Sequence, residues 1–340
     1  MKVGVIGASG YTGEELLKLL ACHPQVEVSL ATSRRLAGRP VNEELPSLRG
    51  HLSGLVFQNM DVAQLAQETC DIFFLALTHG AATPYARALV DAGKKVIDLS
   101  ADFRLSCAAR YQEYYGEAHP DVDLLMKGAY VLPELSSKDW RRAPLVACPG
   151  CYPTSILIPL IPLLREGVIR AEDIRIASLS GVSGAGRQAK EMLLFCERAE
   201  SSKAYGLPKH RHLSEIEEQL TKAAGVDVVV QFAPHLVPMR RGLISTITAC
   251  AANGKDIEAL YKVWQHYYAK APFVSLFKSG TFPDSQHVVG RNRIDLAAVH
   301  DPRTDHFVIT TALDNLVKGA AGQAVQIMNL WSGFDEDMGL

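Results

Sequence analysis

The sequence predicts an α/β protein of two domains, in which a doubly wound parallel sheet is followed by an α+β domain with a mixed sheet. A chain of 340 residues is long enough for two domains that each bury a core. Up to about residue 147, short apolar strands alternate with helical patterns, which is typical of a parallel sheet with helices on both faces. Beyond that point several strands follow one another closely, which favours a mixed or antiparallel sheet.

The first domain is predicted over residues 1–147. Its strands are predicted at 2–7, 26–31, 71–76 and 95–100, and its helices at 11–22 and 81–92. The last helix, 315–330, carries small residues at Gly319, Ala320 and Gly322 that would permit close packing. We therefore expect residues 315–340 to return to the first domain.

The second domain is predicted over residues 148–314. Ser214 and Glu217 match a capping box, which predicts a helix at 214–223 with the preceding histidines on its entry loop. The other helices are predicted at 151–165, 187–199 and 256–269, and the strands at 174–180, 227–232, 243–252, 293–300 and 306–313.

Composition excludes several classes of partner. The 35 basic residues nearly balance the 37 acidic residues, so no basic surface is available for nucleic acid or an anionic membrane. The longest apolar run, 156–164, is too short to span a bilayer. Seven cysteines are an odd number, and no leader-like segment precedes the first strand, so we expect a cytoplasmic protein with reduced thiols that acts on small molecules.

The segment GASGYTG (7–13) lies between a predicted strand and a predicted helix. Its spacing is G-x-x-G-x-x-G rather than the usual dinucleotide fingerprint, but the glycines serve the same purposes. The first two let the backbone turn and approach a pyrophosphate, and the third lets the helix pack on the sheet. We predict a cofactor loop made of Gly7, Ser9, Gly10, Tyr11, Thr12 and Gly13.

The end of the second strand distinguishes NADP from NAD. An NAD site usually has an acidic residue there to bind the ribose hydroxyls. This chain has Ser33, Arg34 and Arg35 instead, and a hydroxyl with two guanidinium groups suits a 2′-phosphate. The alternative is a solvated basic turn without a ligand.

Cys151 follows a predicted strand and opens a predicted helix, where backbone N–H groups favour a thiolate. Pro153 suits the first helical turn. Two alternatives use the spacing Cys148-x-x-Cys151: a thiol–disulfide centre or half of a zinc site. The remaining cysteines are scattered singly, and we predict no metal site.

A nucleophilic thiol near a nicotinamide indicates acyl transfer through a thioester, which needs an acid/base group. His210 and His212 are the candidates, because histidine titrates in the useful range. Either could instead be structural, and a zinc site with His235 would lack a fourth ligand. Arginines in three loops are candidates to bind a phosphate or carboxylate of the substrate, namely Arg104, Arg187 and Arg241.

The motifs GASGYTG, DLSADFRL, PGCYPT, SGVSGAGR, HRHxxEI, HLVPMxRG and DNLVKGAAGQAVQ occur in this order from residue 3 to about 330. In this the chain resembles the N-acetyl-gamma-glutamyl-phosphate reductases of arginine biosynthesis. It is more distantly similar to aspartate-semialdehyde dehydrogenase in the glycine loop, the cysteine and DNLxKGAA. The chain departs from the residues that the family more often has at three positions, which are Asn at Cys148, Pro at Ser214 and Gly at Val131.

The resemblance implies an NADP(H)-binding Rossmann domain completed by the last helix, and a second domain that makes homodimer or homotetramer contacts. It implies Cys151 as the nucleophile and His210 as the acid/base. Asn315 and Gly319, in the last motif, are expected at the cofactor, and Arg104 falls where the distant relatives bind phosphate. The implied reaction reduces an acyl phosphate to a semialdehyde and phosphate. A lysine-pathway paralogue and a nucleotide-sensing binding protein are the rivals.

Overall fold

The computed structural model describes all residues from Met1 to Leu340. The chain divides into two compact units. Unit 1 comprises Met1–Pro149 together with Ala320–Leu340, and unit 2 comprises Gly150–Gly319. None of the helices combines the length and the apolar content needed to cross a bilayer.

Unit 1 alternates strands and helices from its first residues, as the sequence predicts. In chain order its elements are β1 (Lys2–Ile6), α1 (Tyr11–Ala21), β2 (Glu27–Ala31), α2 (Val41–Glu44), α3 (Val62–Ala66), β3 (Ile72–Leu75), α4 (Thr83–Asp91), β4 (Lys95–Asp98), α5 (Ala108–Tyr115), α6 (Val122–Lys127), β5 (Ala129–Tyr130) and β6 (Leu145–Ala147). Short 3₁₀ turns lie at Pro46–Leu48 and Lys138–Arg142.

The strands of unit 1 form one six-stranded sheet in the order β2-β1-β3-β4-β6-β5, and every pairing is parallel. Its two faces bury separate apolar clusters. Phe74 belongs to the cluster with Leu16 and Leu17 of α1, whereas Phe73 belongs to the cluster with Leu89 of α4. The predicted doubly wound α/β architecture is thus confirmed.

Unit 2 begins with a long helix and continues with more strands than helices. Its elements are α7 (Cys151–Arg165), β7 (Ile174–Gly181), α8 (Phe195–Arg198), β8 (Lys203–Ala204), α9 (His212–Ala224), β9 (Val230–Val237), β10 (Leu243–Cys250), α10 (Ile257–Tyr268), β11 (Val274–Leu276), β12 (Ile294–Asp301) and β13 (His306–Leu313). Further 3₁₀ turns lie at Val182–Ala185, Glu191–Leu193 and Ser285–His287.

These strands form a mixed seven-stranded sheet in the order β11-β12-β13-β10-β7-β9-β8. The central pairs β13/β10 and β10/β7 are antiparallel, and β7/β9 is parallel. From Ile174 to Ser180 the residues of β7 alternate between buried and exposed. One face of this sheet is therefore covered by helices and the other face is largely open, as expected for an α+β domain.

The chain ends with a π-helical turn (Val317–Ala321) followed by α11 (Gly322–Ser332). The predicted helix at 315–330 is correct from Gly322 onward but begins with a different helix type. Ala324, Val325 and Met328 join the same apolar cluster of unit 1 as α1. The last helix thus contributes to the core of unit 1.

Two local predictions are wrong. Residues 187–199 do not form one helix, because Met192, Leu194 and Phe195 remain exposed and no apolar face is buried there. The capping box is also absent: α9 begins at His212, and the Ser214 hydroxyl donates to the carbonyl of Arg211. Glu217 instead accepts a hydrogen bond from the Val230 N–H.

Candidate active site

The glycine loop of unit 1 has room only for glycine at two of its three positions. Gly7 has φ +82°, and a Cβ there would lie 2.5 Å from the Ala76 carbonyl oxygen. A Cβ on Gly13 would lie 2.6 Å from the Gly7 carbonyl oxygen. Gly10 is the N-cap of α1 and makes no side-chain cap, so the first N–H groups of the helix are available to an anion.

The end of β2 holds this loop in place. The Gly7 N–H donates to the Thr32 hydroxyl at 3.1 Å, and the hydroxyls of Ser9 and Ser33 lie 2.8 Å apart. Arg34 and Arg35 follow as exposed side chains, and Arg34 Nη2 donates to the Tyr85 hydroxyl at 3.1 Å. Hydroxyls and guanidinium groups thus lie just beyond the glycine loop, which fits a phosphorylated ribose.

A buried polar cluster follows β4 in unit 1. Arg104 is 7% exposed and donates from Nη2 to the Leu99 carbonyl oxygen at 3.0 Å. Burial, and then the neighbouring Asp102, raises the pKa of Asp98 to about 7. Burial also raises the pKa of the Cys148 thiol far above its usual range. Cys148 is therefore held as an inert thiol.

Cys151 is the first residue of α7 in unit 2, and its side chain is partly exposed. Gly150 is the N-cap and has no side chain with which to block the helix terminus. The Gly150 N–H donates to Glu215 Oε2 at 3.0 Å, so a buried carboxylate from α9 holds the start of α7. A Cβ on Gly319 would lie 2.6 Å from the Cys151 Cβ, so only glycine permits this approach.

The two candidate histidines lie side by side in unit 2, with ring centroids 5.0 Å apart. Both pack against Tyr152, the residue after the nucleophile, at centroid distances of 5.6 Å for His210 and 5.7 Å for His212. Tyr152 donates to or accepts from the hydroxyl of Tyr205, 3.0 Å away. The structure therefore brings both histidines to the residue beside Cys151.

His210 has a defined tautomer. Its Nδ1 lies 3.1 Å from the backbone N–H of His212, and because an N–H only donates, Nδ1 must accept. Neutral His210 therefore carries its proton on Nε2. Burial, and then the charge of Arg211, lowers the pKa of His210 to about 4. The ring is neutral at physiological pH and releases an acquired proton readily.

The remaining predicted site residues of unit 2 have fixed partners or lie at the surface. Arg241 forms a buried ion pair with Asp314, with Nη2 and Oδ2 2.9 Å apart. The Asn315 amide joins two loops, since it accepts from the Gly242 N–H at 2.9 Å and donates to the Ser183 hydroxyl at 3.0 Å. Arg187 is exposed. The predicted cofactor residues are divided between the units, with Asn315 and Gly319 in unit 2.

The structure bears on the two alternatives for Cys148 and Cys151, a thiol–disulfide centre and half of a zinc site. All seven cysteines are free thiols. One group of three side chains has the atoms and the proximity to hold a metal ion, namely Asp173, Cys250 and His306, and it includes none of the predicted site residues.

Val131 is fully buried and does not have a positive φ, so the position needs no glycine.

Sequence reasoning assigned no role to Glu215, although it lies in the HRHxxEI segment. The signal was present, because an acidic residue in the first turn of a predicted helix is well placed to accept from backbone N–H groups. Its partner, Gly150, is 65 residues away in sequence. Only the packing of α9 against α7 shows the connection.

The chain matches two family models in succession. Residues 2–143 match the NAD binding domain of semialdehyde dehydrogenase, and residues 151–315 match its dimerisation domain. Aspartate semialdehyde dehydrogenase II of Vibrio cholerae, solved with ASA, has a TM-score of 0.73 at 19% identity and covers 98% of both chains. The Candida albicans enzyme, solved with NADP, has a TM-score of 0.72 at 17% identity over 97% of this chain and 98% of its own. At these identities the similarity concerns the fold.

Similarity in sequence is much higher to one group of reductases. The chain is 51% identical to the N-acetyl-gamma-glutamyl-phosphate reductase of Akkermansia muciniphila, over 100% of this chain and 98% of that protein. It is 47% identical to that of Azotobacter vinelandii with the same coverage. Together with the semialdehyde dehydrogenase fold, this shows that the chain belongs to the N-acetyl-gamma-glutamyl-phosphate reductase family.

Proposed function

We propose that the protein catalyses the NADPH-dependent reduction of N-acetyl-gamma-glutamyl phosphate to N-acetylglutamate semialdehyde and phosphate. The observation that carries this proposal is the placement of a partly exposed thiol, Cys151, at the start of a 15-residue helix whose second residue packs against His210. Such a terminus favours a thiolate by about 0.3–2 kcal/mol, which matters for a group that is only a few per cent ionised at neutral pH.

In the proposed mechanism, Cys151 Sγ attacks the acyl carbon, the bond from that carbon to the phosphate oxygen breaks, and a thioester forms. NADPH, held by the glycine loop and by Ser33, Arg34 and Arg35, would supply the hydride that reduces the thioester to a hemithioacetal. His210 supplies the proton for the hemithioacetal oxygen and takes it back as the carbon–sulfur bond breaks. The semialdehyde leaves and the Cys151 thiolate is restored. The low pKa of His210 makes the protonated ring a strong proton donor to the hemithioacetal oxygen, whereas the neutral ring is a weak base.

The residues of unit 1 fit NADPH. The glycine loop leaves space that a Cβ at Gly7 or Gly13 would fill, and the N-terminus of α1 can face a pyrophosphate. Ser33, Arg34 and Arg35 would hold the 2′-phosphate. Arg104, Arg187 and Arg241 are the proposed contacts of the substrate's phosphate and carboxylate groups, with Arg241 fixed in orientation by Asp314.

We further propose that the protein works in the cytoplasm as a homodimer or homotetramer. The open face of the unit 2 sheet supports an oligomer, because β7 directs Arg175, Ala177 and Leu179 outward and Leu179 is 40% exposed. The near balance of 35 basic and 37 acidic residues supports a small-molecule substrate over an acidic carrier protein.

The reverse reaction tests the proposal. Purified protein is incubated with phosphate, NADP and one of two semialdehydes, N-acetylglutamate semialdehyde or an aminoadipate-derived semialdehyde, and NADPH formation is followed. We expect phosphate-dependent turnover with the first compound. Faster turnover with the second would favour the lysine-pathway paralogue, and no turnover with either would favour a nucleotide-sensing binding protein.

A further inference from the structure

We propose that Asp173, Cys250 and His306 form a binding site for a zinc-like divalent metal ion, separate from the catalytic residues. One carboxylate oxygen, the thiol sulfur and one imidazole nitrogen all lie within 4.8 Å of one another. Thiolate, imidazole and carboxylate are the three ligand types that zinc uses in proteins. Sequence reasoning missed the group because its members are distant in the chain.

The sheet of unit 2 brings the three residues together. Cys250 ends β10 and is paired in register with His306, which begins β13. Asp173 immediately precedes β7, the other neighbour of β10. Three adjacent strands thus each contribute one ligand at the same end of the sheet, and pairing between the strands holds the ligands in position.

The tautomer of His306 suits a metal ligand. Its Nδ1 lies 2.6 Å from the Thr304 carbonyl oxygen, and because a carbonyl only accepts, Nδ1 carries the proton. Nε2 therefore presents its lone pair to the group. Histidines that bind metals typically donate their other ring N–H to a carbonyl or carboxylate in this way.

The distances agree with a small tetrahedral ion. Zinc bond lengths imply separations of about 3.4–3.6 Å between neighbouring ligand atoms. Cys250 Sγ lies 3.0 Å from His306 Nε2, and His306 Nε2 lies 3.7 Å from Asp173 Oδ2. Rotation of the Cys250 side chain that moves Sγ about half an ångström away from His306 Nε2 would bring this separation into the range for a bound ion.

The site is reachable from solvent, and Arg175 lies beside Asp173. The side chain of Asp173 is 43% exposed and that of His306 is 17% exposed, whereas Cys250 is buried. Arg175 Nη2 lies 2.7 Å from Asp173 Oδ1 and donates to Oδ2 at 2.9 Å, so Oδ2 lies between the guanidinium group and His306. Three protein ligands leave a fourth position for water.

The start of α7, which carries Cys151, lies toward the other end of the sheet, since the Ser155 hydroxyl is 2.8 Å from the hydroxyl of Ser245 near the beginning of β10. Strand β7 runs eight residues from this end to Gly181, and β10 runs eight residues back from Leu243 to Cys250. At about 3.4 Å per residue the two ends of the sheet are separated by roughly 24 Å. The bound ion would therefore act on the sheet and not on the reacting atoms.

Binding releases one proton, because the Cys250 thiol that now donates to His306 must become a thiolate: the S–H bond breaks, the sulfur–metal bond forms and the proton goes to buffer. No electron is transferred.

The test is a titration of the metal-free, full-length protein with Zn²⁺ alone, in competition with a chromophoric chelator. A Cys151→Ser background removes the catalytic thiol from consideration. We expect one ion per chain, and a loss of affinity of more than about 100-fold in Cys250→Ser and in His306→Gln. Mutation of residues that only hydrogen-bond to metal ligands already lowers metal affinity 10–100-fold, and the loss of a ligand should lower it more. Cys196→Ser removes an exposed thiol of the same unit and should change nothing.

Titration with Co²⁺ provides a second readout, since a thiolate ligand gives a charge-transfer band in the near ultraviolet that Cys250→Ser should abolish. Asp173→Asn should retain the band and weaken binding. If Cys250→Ser does not fold, His306→Gln and Asp173→Asn decide the matter. Absence of stoichiometric zinc, or equal affinity in the parent and the His306→Gln variant, would overturn the proposal.

Discussion

At the scale of single residues, the two thiols of the Cys148-x-x-Cys151 segment have opposite surroundings. Cys148 is 1% exposed and burial raises its pKa, which removes it as a nucleophile. Cys151 is partly exposed at the first position of α7. A pattern of residue types alone leaves the two equivalent, because burial depends on packing that the spacing does not contain.

His210→Asn should lower kcat by about 10²–10⁴ while substrate binding persists. The Asn oxygen can replace Nδ1 as acceptor for the His212 N–H, so only the Nε2 chemistry is lost. His212→Asn should lower kcat less, because the ring of His212 is buried at the start of α9 and its role is structural. Steady-state kinetics of both variants decides the assignment, and a larger loss at His212 would reverse it.

Replacing Arg34 and Arg35 together by Ala should raise KM for NADPH far more than KM for NADH. Each charged hydrogen bond to the 2′-phosphate is worth about 1.5–3 kcal/mol, and NADH has no such phosphate. Arg39→Ala is the matched control, since this nearby exposed arginine pairs with Glu44 instead. Equal increases for both cofactors would mean that these arginines do not recognise the phosphate.

At the scale of helices and strands, the start of α7 is held by α9. The Gly150 N–H donates to the buried Glu215, and the same two helices carry Cys151 and His212. A shift of either helix would therefore change the position of the nucleophile relative to the histidines. We infer that Glu215 positions the thiol without contacting substrate.

Glu215→Ala should destabilise the protein by about 1–3 kcal/mol, because the Gly150 N–H would stay buried without its acceptor. It should also lower kcat with little change in KM for NADPH. Glu258→Ala is the control, because this carboxylate also lies in the first turn of a helix, α10, but is exposed and should contribute at most about 1 kcal/mol. If both variants lost the same stability and activity, the contact with Gly150 would have no special role.

Most strands and long helices could be predicted from the sequence, because each buries a regular apolar pattern. The predicted helix at 187–199 failed because helical propensity without a buried face does not form a continuous helix. The capping box at Ser214 failed because the helix starts two residues earlier and Glu217 pairs with Val230. In the first case no tertiary packing stabilised the helix, and in the second a tertiary hydrogen bond overrode the local signal.

At the scale of the whole molecule, unit 1 is built from two distant segments, since α11 joins the core formed by the first 149 residues. The small residues of the last motif suggested this return. The same motif also supplies Gly319, which belongs to unit 2 and lies against Cys151. The glycine loop and the nucleophile were predictable from local motifs, whereas Glu215 and the tautomer of His210 depend on contacts that only the folded chain makes.

Trp331→Ala should destabilise unit 1 by about 3–5 kcal/mol, the usual cost of removing a buried tryptophan. Its indole N–H donates to the Arg141 carbonyl oxygen at 3.0 Å, and its ring lies 6.0 Å from that of Trp140. Phe195→Ala is the control, because Phe195 is 84% exposed and should change stability by less than about 0.5 kcal/mol. Urea unfolding followed by fluorescence measures both, and equal stabilities would contradict this role for α11.

In the proposed mechanism Cys151 carries the acyl group as a thioester. The direct measurement is mass spectrometry of the protein after brief exposure to N-acetyl-gamma-glutamyl phosphate without NADPH, followed by acid quenching and peptide mapping. We predict an N-acetylglutamyl adduct on the peptide that contains Cys151, located at that residue, lost on addition of NADPH and absent in Cys151→Ser. An adduct on Cys148 or another residue, or full turnover by Cys151→Ser, would contradict the account.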